Sequence, residues 1–328
     1  MYSDLCALLE MIIMSHVSEV AEFQSCSCDT FQAAIYPLNQ PALLKGLDLG
    51  PALKLWRSPD YLASRVGPKP VKIHVSQSPK MDFVSKNFLY RTLPFDELVH
   101  RCSDPGQKKE YFVSPDEVYY LRAVGDNPRK DIANFTTDYP SLVSDLILPQ
   151  FFPEDKLFSS VLRVASPGLQ LWTHYDVMDN LLVQIVGRKR VVLFPPSALE
   201  DLYLKGDKST VVDIDTPDLE HFPRFSNAER FECEMSPGDV LFIPALWFHN
   251  VTSLGYSVAV NSFWRGLDDK FYDSKDTYGN KDPPQVQRAL QMVDKAMGLL
   301  ADLPDSFREF YCQRLITRAK DKMTNNVD

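Results

Sequence analysis

Near the middle of the chain, in the run "LWTHYDVMDNLLVQIVGRKR", His174 and Asp176 stand two positions apart. Successive side chains of a strand alternate between faces, so an imidazole and a carboxylate at this spacing project side by side from one face. That is donor geometry for a metal ion. Two imidazoles and one carboxylate on one face leave coordination positions open, and this is the donor set of non-haem Fe(II) oxygenases. The third donor is found in "LFIPALWFHNV", where His249 adjoins a strand that begins after the turn "SPGD". The bland alternative is that these are ordinary core or surface residues: the chain has six histidines, and an H-x-D pair arises by chance. The strand-rich surroundings and the third histidine several strands later give the pair its weight.

A keto acid that chelates such an iron, commonly 2-oxoglutarate reacting with O2, brings a far carboxylate that needs a cation inside the fold. Lys189 opens "KRVVLF" directly after a tight turn from the strand that follows Asp176, so a hairpin carries its ammonium back towards the metal strand. Within "GRKR" a solvated basic turn is the competing explanation, and spacing leaves the two open. G-x-G-x-x-G, P-loop, H-E-x-x-H and G-x-S-x-G motifs are all absent, which disfavours dinucleotide binding, nucleotide hydrolysis, metalloprotease and serine-hydrolase chemistry.

The elements that must position these residues are mostly strands. From 158 to 265 the runs "LFSSVLRVA", "LQLWTHYD", "NLLVQIVG", "KRVVLFPP", "FECEM", "DVLFIPA" and "YSVAVNSFW" are separated by "SPG", "VGRK", "SPGD" and "SLG". Short strands with this punctuation favour a sandwich or barrel over a parallel βαβ sheet. The expected fold is mainly β with flanking helices: a double-stranded β-helix, or jelly roll, with a C-terminal helical pair. Before it, "PALLKGLDL" and "KPVKIHVS" read as strands, and "WRSPDYLASRVG" and "PFDELVHRC" as short helices. Tyr111 to Val113 and Val118 to Leu121 are two further strand candidates split by "SPD".

After residue 283 the period changes: Val286, Leu290, Val293, Ala296, Met297 and Leu300 recur at helical spacing, and "LPDS" separates a second amphipathic helix. Their apolar stripes need cover, from the barrel or from another subunit. The expected division is an irregular extension over 1–30, an α+β lead-in packing on the core over 31–150, a jelly-roll catalytic core over 151–270 and helices over 271–328.

The 328 residues are 45% hydrophobic, 12% aromatic and 24% charged, an ordinary globular composition. A formal charge of −9 predicts no bulk attraction to nucleic acid or anionic membrane, so such a partner needs a local basic patch. The six cysteines lack paired metal-site or disulfide spacing, which fits a reducing intracellular compartment. The apolar stretch in "LEMIIMSHV" is too short for a membrane span and lacks the basic flank of a signal peptide, so neither is expected. Basic groups recur at Lys69 and Lys72, Lys108 and Lys109, Arg129 and Lys130, Arg188 to Arg190, Lys205 with Lys208, and Arg314 to Lys322. Gathered on one face they would bind phosphates; singly each is a solvated surface charge.

The segments "WTHYDVMDNLLVQIVGRKRVVLFPP", "GDVLFIPALWFHNV" and "VNSFW" resemble the JmjC family of Fe(II)- and 2-oxoglutarate-dependent oxygenases. Within that family the chain resembles the branch of the asparaginyl hydroxylase of hypoxia-inducible factor, and more particularly the tRNA wybutosine hydroxylases. The likeness covers nearly everything after residue 35. It implies that His174, Asp176 and His249 hold the iron and that Lys189, helped by the Tyr120 hydroxyl, binds the far carboxylate of 2-oxoglutarate. Asn180 and Asn261 match asparagines that hydrogen-bond the co-substrate in the asparaginyl hydroxylase. Leu171 departs from the pattern by standing where that relative has a threonine, so Lys189 and Tyr120 must carry more of the neutralisation. The implied reaction is hydroxylation of the aminocarboxypropyl side chain of the wybutosine precursor, 3′ of the anticodon of phenylalanine tRNA, by a cytoplasmic homodimer joined through its C-terminal helices. A JmjC protein hydroxylase or lysyl demethylase is the alternative, and a non-catalytic cupin-like interaction protein is the third reading.

Overall fold

The computed structural model describes residues 17–104, 106 and 110–324. The strands among them are, in chain order, β1 (Val17–Glu19), β2 (Ala21–Gln24), β3 (Ala42–Lys45), β4 (Pro70–Ser76), β5 (Phe88–Pro94), β6 (Val118–Arg122), β7 (Leu157–Ala165) and β8 (His174–Tyr175). They continue with β9 (Asp179–Val186), β10 (Lys189–Phe194), β11 (Leu204–Lys205), β12 (Lys208–Ser209), β13 (Arg230–Met235), β14 (Val240–Ile243), β15 (Phe248–Ser253) and β16 (Ser257–Trp264). The longer helices are α1 (Pro59–Val66), α2 (Phe95–Ser103), α3 (Pro284–Leu299) and α4 (Asp305–Thr324).

These strands form two large sheets, the architecture expected of a jelly roll. One runs β1-β13-β10-β15-β8-β12-β11, the other β2-β3-β14-β9-β16-β7-β6-β4-β5. Consecutive strands β9 and β10 lie in different sheets, so the chain must turn sharply between them. Gly187 makes that turn at φ +73°, and a Cβ there would meet the Tyr256 carbonyl oxygen at 2.1 Å. Only glycine fits. Every residue of β9 and β16 is buried, which is why both read as nearly continuous apolar runs and not as alternating ones.

Between the sheets, Leu182, Leu241, Ile243 and Ala259 of one meet Val191, Leu193, Val251 and Met235 of the other in a single core cluster. Truncating a buried leucine of such a core to alanine costs about 2–5 kcal/mol. The lead-in contributes β3 to β6 to the nine-stranded sheet, so the same hydrogen-bonded ladder extends from Ala21 to Trp264.

Three local expectations need correction. Tyr111 to Val113 is a bend, not a strand: the N–H groups of Phe112, Val113 and Ser114 donate to the buried Glu117 carboxylate, and this wraps the backbone around an anion in place of a ladder. Of "LQLWTHYD" only His174 and Tyr175 are strand. Within the segment expected to be irregular, Val17–Glu19 pairs in parallel with β13 and Ala21–Gln24 in parallel with β3; residues 1–16 lie outside the described part.

The described residues from 17 to 267, with 274–280, form one compact unit. Residues 268–273 and 281 onwards form a second, in which α3 and α4 leave Leu290, Val293, Phe307 and Phe310 exposed. Among the described residues, no helix is long and apolar enough to cross a membrane.

Candidate metal centre

Strand β8 is short but tightly placed. It pairs antiparallel with β15 so that His174 lies directly opposite His249, and directly opposed residues share a face. The two rings have centroids 4.3 Å apart. Asp176 follows immediately, and one donor atom from each of His174, Asp176 and His249 falls within 4.8 Å of the others. Asp176 Oδ2 is 3.5 Å from His249 Nε2.

The loops on either side are stitched together. The Leu246 N–H donates to the Asp176 carbonyl at 2.8 Å, and the Ala245 N–H donates to Asp179 Oδ1 at 3.0 Å. Tyr36 donates to the other Asp179 oxygen at 3.1 Å. Leu246 takes a left-handed conformation at φ +70°, a strained state for leucine that these bonds hold in place. On the other side, Gln170 donates to Asn250 and Asn250 to Thr173, at 3.0 and 3.1 Å, tying the segment before His174 to β15.

The protonation state of the histidines suits a metal. Burial holds the His174 pKa below its ordinary value, against the pull of Asp176. Burial and the neighbouring His174 push His249 down to about 4. Both rings are therefore neutral at pH 7. Each also points Nδ1 at a backbone carbonyl, His174 at Trp172 O (2.9 Å) and His249 at Trp247 O (3.2 Å). An Nδ1–H donated to these oxygens leaves Nε2 as the bare donor, the tautomer that metal-binding histidines adopt. Two neutral imidazoles and a carboxylate fit a ferrous ion and leave open positions.

A cavity of about 360 Å3 opens beside this group, and its lining includes His174, Asp176, Tyr120 and Leu171. His249 is buried next to it. Lys189 does not border the open space. It is enclosed on the same strand face as Leu193, the residue opposite His249, and donates to Ser253 Oγ at 3.2 Å. Burial, then the charge of Arg163, lowers its pKa to about 7. Asn261 donates to Asn180 Oδ1 at 2.9 Å across β9 and β16, and its own Oδ1 is buried without a partner. The enclosed Lys189 amine and the amide hydrogens of the asparagine pair fit an anionic co-substrate, and the neutral imidazoles fit a metal beside it.

Arg163 is the residue that sequence reasoning missed. It lines the cavity, touches the Tyr120 hydroxyl through a guanidinium nitrogen, and keeps Nε buried without a partner. Its signal was one charged residue inside the apolar strand "LFSSVLRVA". Also missed were the cavity-lining Arg122, the buried His74, and the rings of Tyr90 and Tyr278, whereas the lining Lys72 and Lys208 are among the basic groups that the sequence marks. Lys208 pairs with Asp207, and its ammonium lies 4.5 Å from the Phe83 ring centroid.

Comparison with known proteins agrees with this architecture. The family model described as a cupin-like domain matches residues 28–270. The chain is 53% identical over 303 residues to a Homo sapiens protein named tRNA wybutosine-synthesizing protein 5, covering 92% of this chain and 96% of that one. It is 50% identical to the Danio rerio protein of the same name, covering 93% of each. A Neurospora crassa protein named tRNA wybutosine-synthesizing protein 4 is 38% identical over 88% of this chain but only 24% of its own length.

Proposed function

The chain belongs to the cupin-like JmjC family, together with the tRNA wybutosine-synthesizing proteins, and from that premise we propose that it is an Fe(II)- and 2-oxoglutarate-dependent hydroxylase. Its substrate is the 7-(3-amino-3-carboxypropyl)wyosine base 3′ of the anticodon of phenylalanine tRNA, and its product a hydroxywybutosine-type base. The observation that carries this reading is the convergence of His174, Asp176 and His249, the first two of them lining a cavity that also holds cations.

Fe(II) at these three side chains would supply the O2-dependent oxidation of 2-oxoglutarate that is coupled to hydroxylation. The protein's own part is binding and exclusion of water. Lys189 and Tyr120 neutralise the far carboxylate of 2-oxoglutarate, and Arg163, joined to Tyr120, adds a second positive charge on the same side. Asn180 and Asn261, already paired, offer their remaining amide hydrogens to the co-substrate. The apolar walls, including Leu171, Trp172 and Phe263, keep water from the reacting carbon.

An RNA partner is supported by the cavity itself: Lys72, Arg122, Arg163 and Lys208 outnumber the lining carboxylates Asp176 and Asp207, although the whole chain is acidic. Such a lining also repels the lysine-rich peptides that a demethylase would take. The exposed apolar residues of α3 and α4 suit a second copy of the chain, giving a homodimer, and the intracellular compartment follows from a tRNA substrate.

The test is incubation of the full chain with tRNA carrying the precursor base, iron and 2-oxoglutarate, followed by mass spectrometry of the base. One added oxygen matched by succinate is expected. Unchanged tRNA beside a hydroxylated protein or peptide would transfer the assignment to a protein hydroxylase.

A further inference from the structure

Two part-exposed tyrosines border the cavity, and the metal chemistry uses neither. Tyr90 is 47% exposed and Tyr278 39%. Each carries a cation against its ring. The Arg122 guanidinium carbon lies 3.5 Å from the Tyr278 centroid, and the Lys72 ammonium lies 4.6 Å from the Tyr90 centroid. The two phenols are neighbours: burial first, then Tyr278, raises the pKa of Tyr90.

Tyr278 is fixed in advance. Its N–H and that of Gly279 both donate to Asp276 Oδ1 at 3.0 Å, and Arg122 donates to its carbonyl at 2.8 Å. Thr277 Oγ1 donates to the Pro128 carbonyl at 2.7 Å. Gly279 sits at φ +80°, where a Cβ would lie 2.6 Å from the Phe158 ring, so the turn passes too close for any other residue. On the other side, the Tyr90 ring packs against His74 with centroids 4.7 Å apart. Rings held this firmly lose little entropy when a flat ligand stacks on them.

A cation on one face of an aromatic ring leaves the opposite face for stacking. Two such rings, each backed by a positive charge and lining one cavity, match a planar group attached to a phosphate backbone. We propose that Tyr90 and Tyr278 form a nucleobase clamp, in which an extruded purine-type base stacks against their exposed surface while its side chain passes inward towards His174, Asp176 and His249. The inference deepens the RNA reading above and rests on it. Stacking offsets the cost of taking the base out of the anticodon loop, and Lys72 and Arg122 meet the adjoining phosphates.

The experiment compares two anticodon-arm hairpins in anisotropy titrations with the full chain, identical except that one has a purine at the target position and the other an abasic site. The wild-type protein is expected to bind the purine hairpin roughly tenfold more tightly. Tyr278→Ala and Tyr90→Ala should bind both hairpins alike, whereas Tyr278→Phe keeps the preference. Equal binding of both hairpins by the wild type, or a preference that survives both alanine substitutions, overturns the clamp and leaves the RNA reading standing. A Phe variant as indifferent as the Ala variant also overturns it, since the ring face would then not be the recognition element. Failure to bind either hairpin overturns the RNA reading and the clamp together.

Discussion

His174 and His249 are direct cross-strand partners on β8 and β15, with ring centroids 4.3 Å apart, and Asp176 closes the group from the end of the shorter strand. A one-residue slip of β8 against β15 would turn His174 to the opposite face.

Asp176 supplies the one anionic donor of the group. Asp176→Ala should therefore weaken Mn(II) or Co(II) binding by on the order of 100-fold or more, as loss of an anionic ligand does more harm than the 10- to 100-fold of a supporting partner. Isothermal titration reads this directly, and succinate release should fall to background. Unimpaired metal binding would remove the centre as described.

Lys189 has a pKa of about 7 in the free protein because it is buried and faces Arg163. At pH 8 it is mostly neutral, whereas a bound carboxylate favours the ammonium and raises its pKa. Binding of 2-oxoglutarate at pH 8 should then take up close to one proton, and affinity should weaken as pH rises above 7. Calorimetry in two buffers of different ionisation heat measures the uptake. Lys189→Met should abolish it.

Tyr120 and Arg163 form one unit at the cavity wall. Arg163→Leu should raise the KM for 2-oxoglutarate about tenfold or more, the scale of one hydrogen bond to a charged group, and Tyr120→Phe less. Because the pair shares a contact, the double variant should fall short of the sum. Steady-state kinetics on the four proteins decides it.

His249 and His74 are both held near pKa 4 by burial, against an ordinary value of 6.5. Their folded-state pKa is depressed, so the unfolded chain binds more protons between these values. The metal-free protein should keep full stability from this source above pH 6.5 and lose it as the pH falls through 4. Urea midpoints measured at pH 7.5, 6 and 5 should decline in that order.

The exposed faces of α3 and α4 lead to the last expectation. Leu290→Glu combined with Phe310→Glu should convert a dimer to a monomer in sedimentation velocity, because charges on an apolar interface go unpaired when it forms. A wild-type chain that sediments as a monomer at micromolar concentration would refute the assembly.

Much of this was legible along the chain because it is local. The spacing of His174 and Asp176 marked them as neighbouring donors, although the strand ends at Tyr175, "VGRK" marked the turn at Gly187, and the change of period after residue 283 announced α3 and α4. The runs around β7, β9, β10, β14 and β16 read as strands because burial on both faces demands unbroken apolar sequence. What tertiary structure alone decided was which distant residues meet. His249 became the partner of His174 through strand register, and Arg163 became a cavity wall because β7 lies beside β16 and β6. Tyr90 and Tyr278 line one cavity although one lies on β5 and the other in a turn before α3. Alternation fixes the direction of a side chain from its neighbours in sequence, whereas proximity between strands is set by how their apolar faces pack, and that is a property of the whole core.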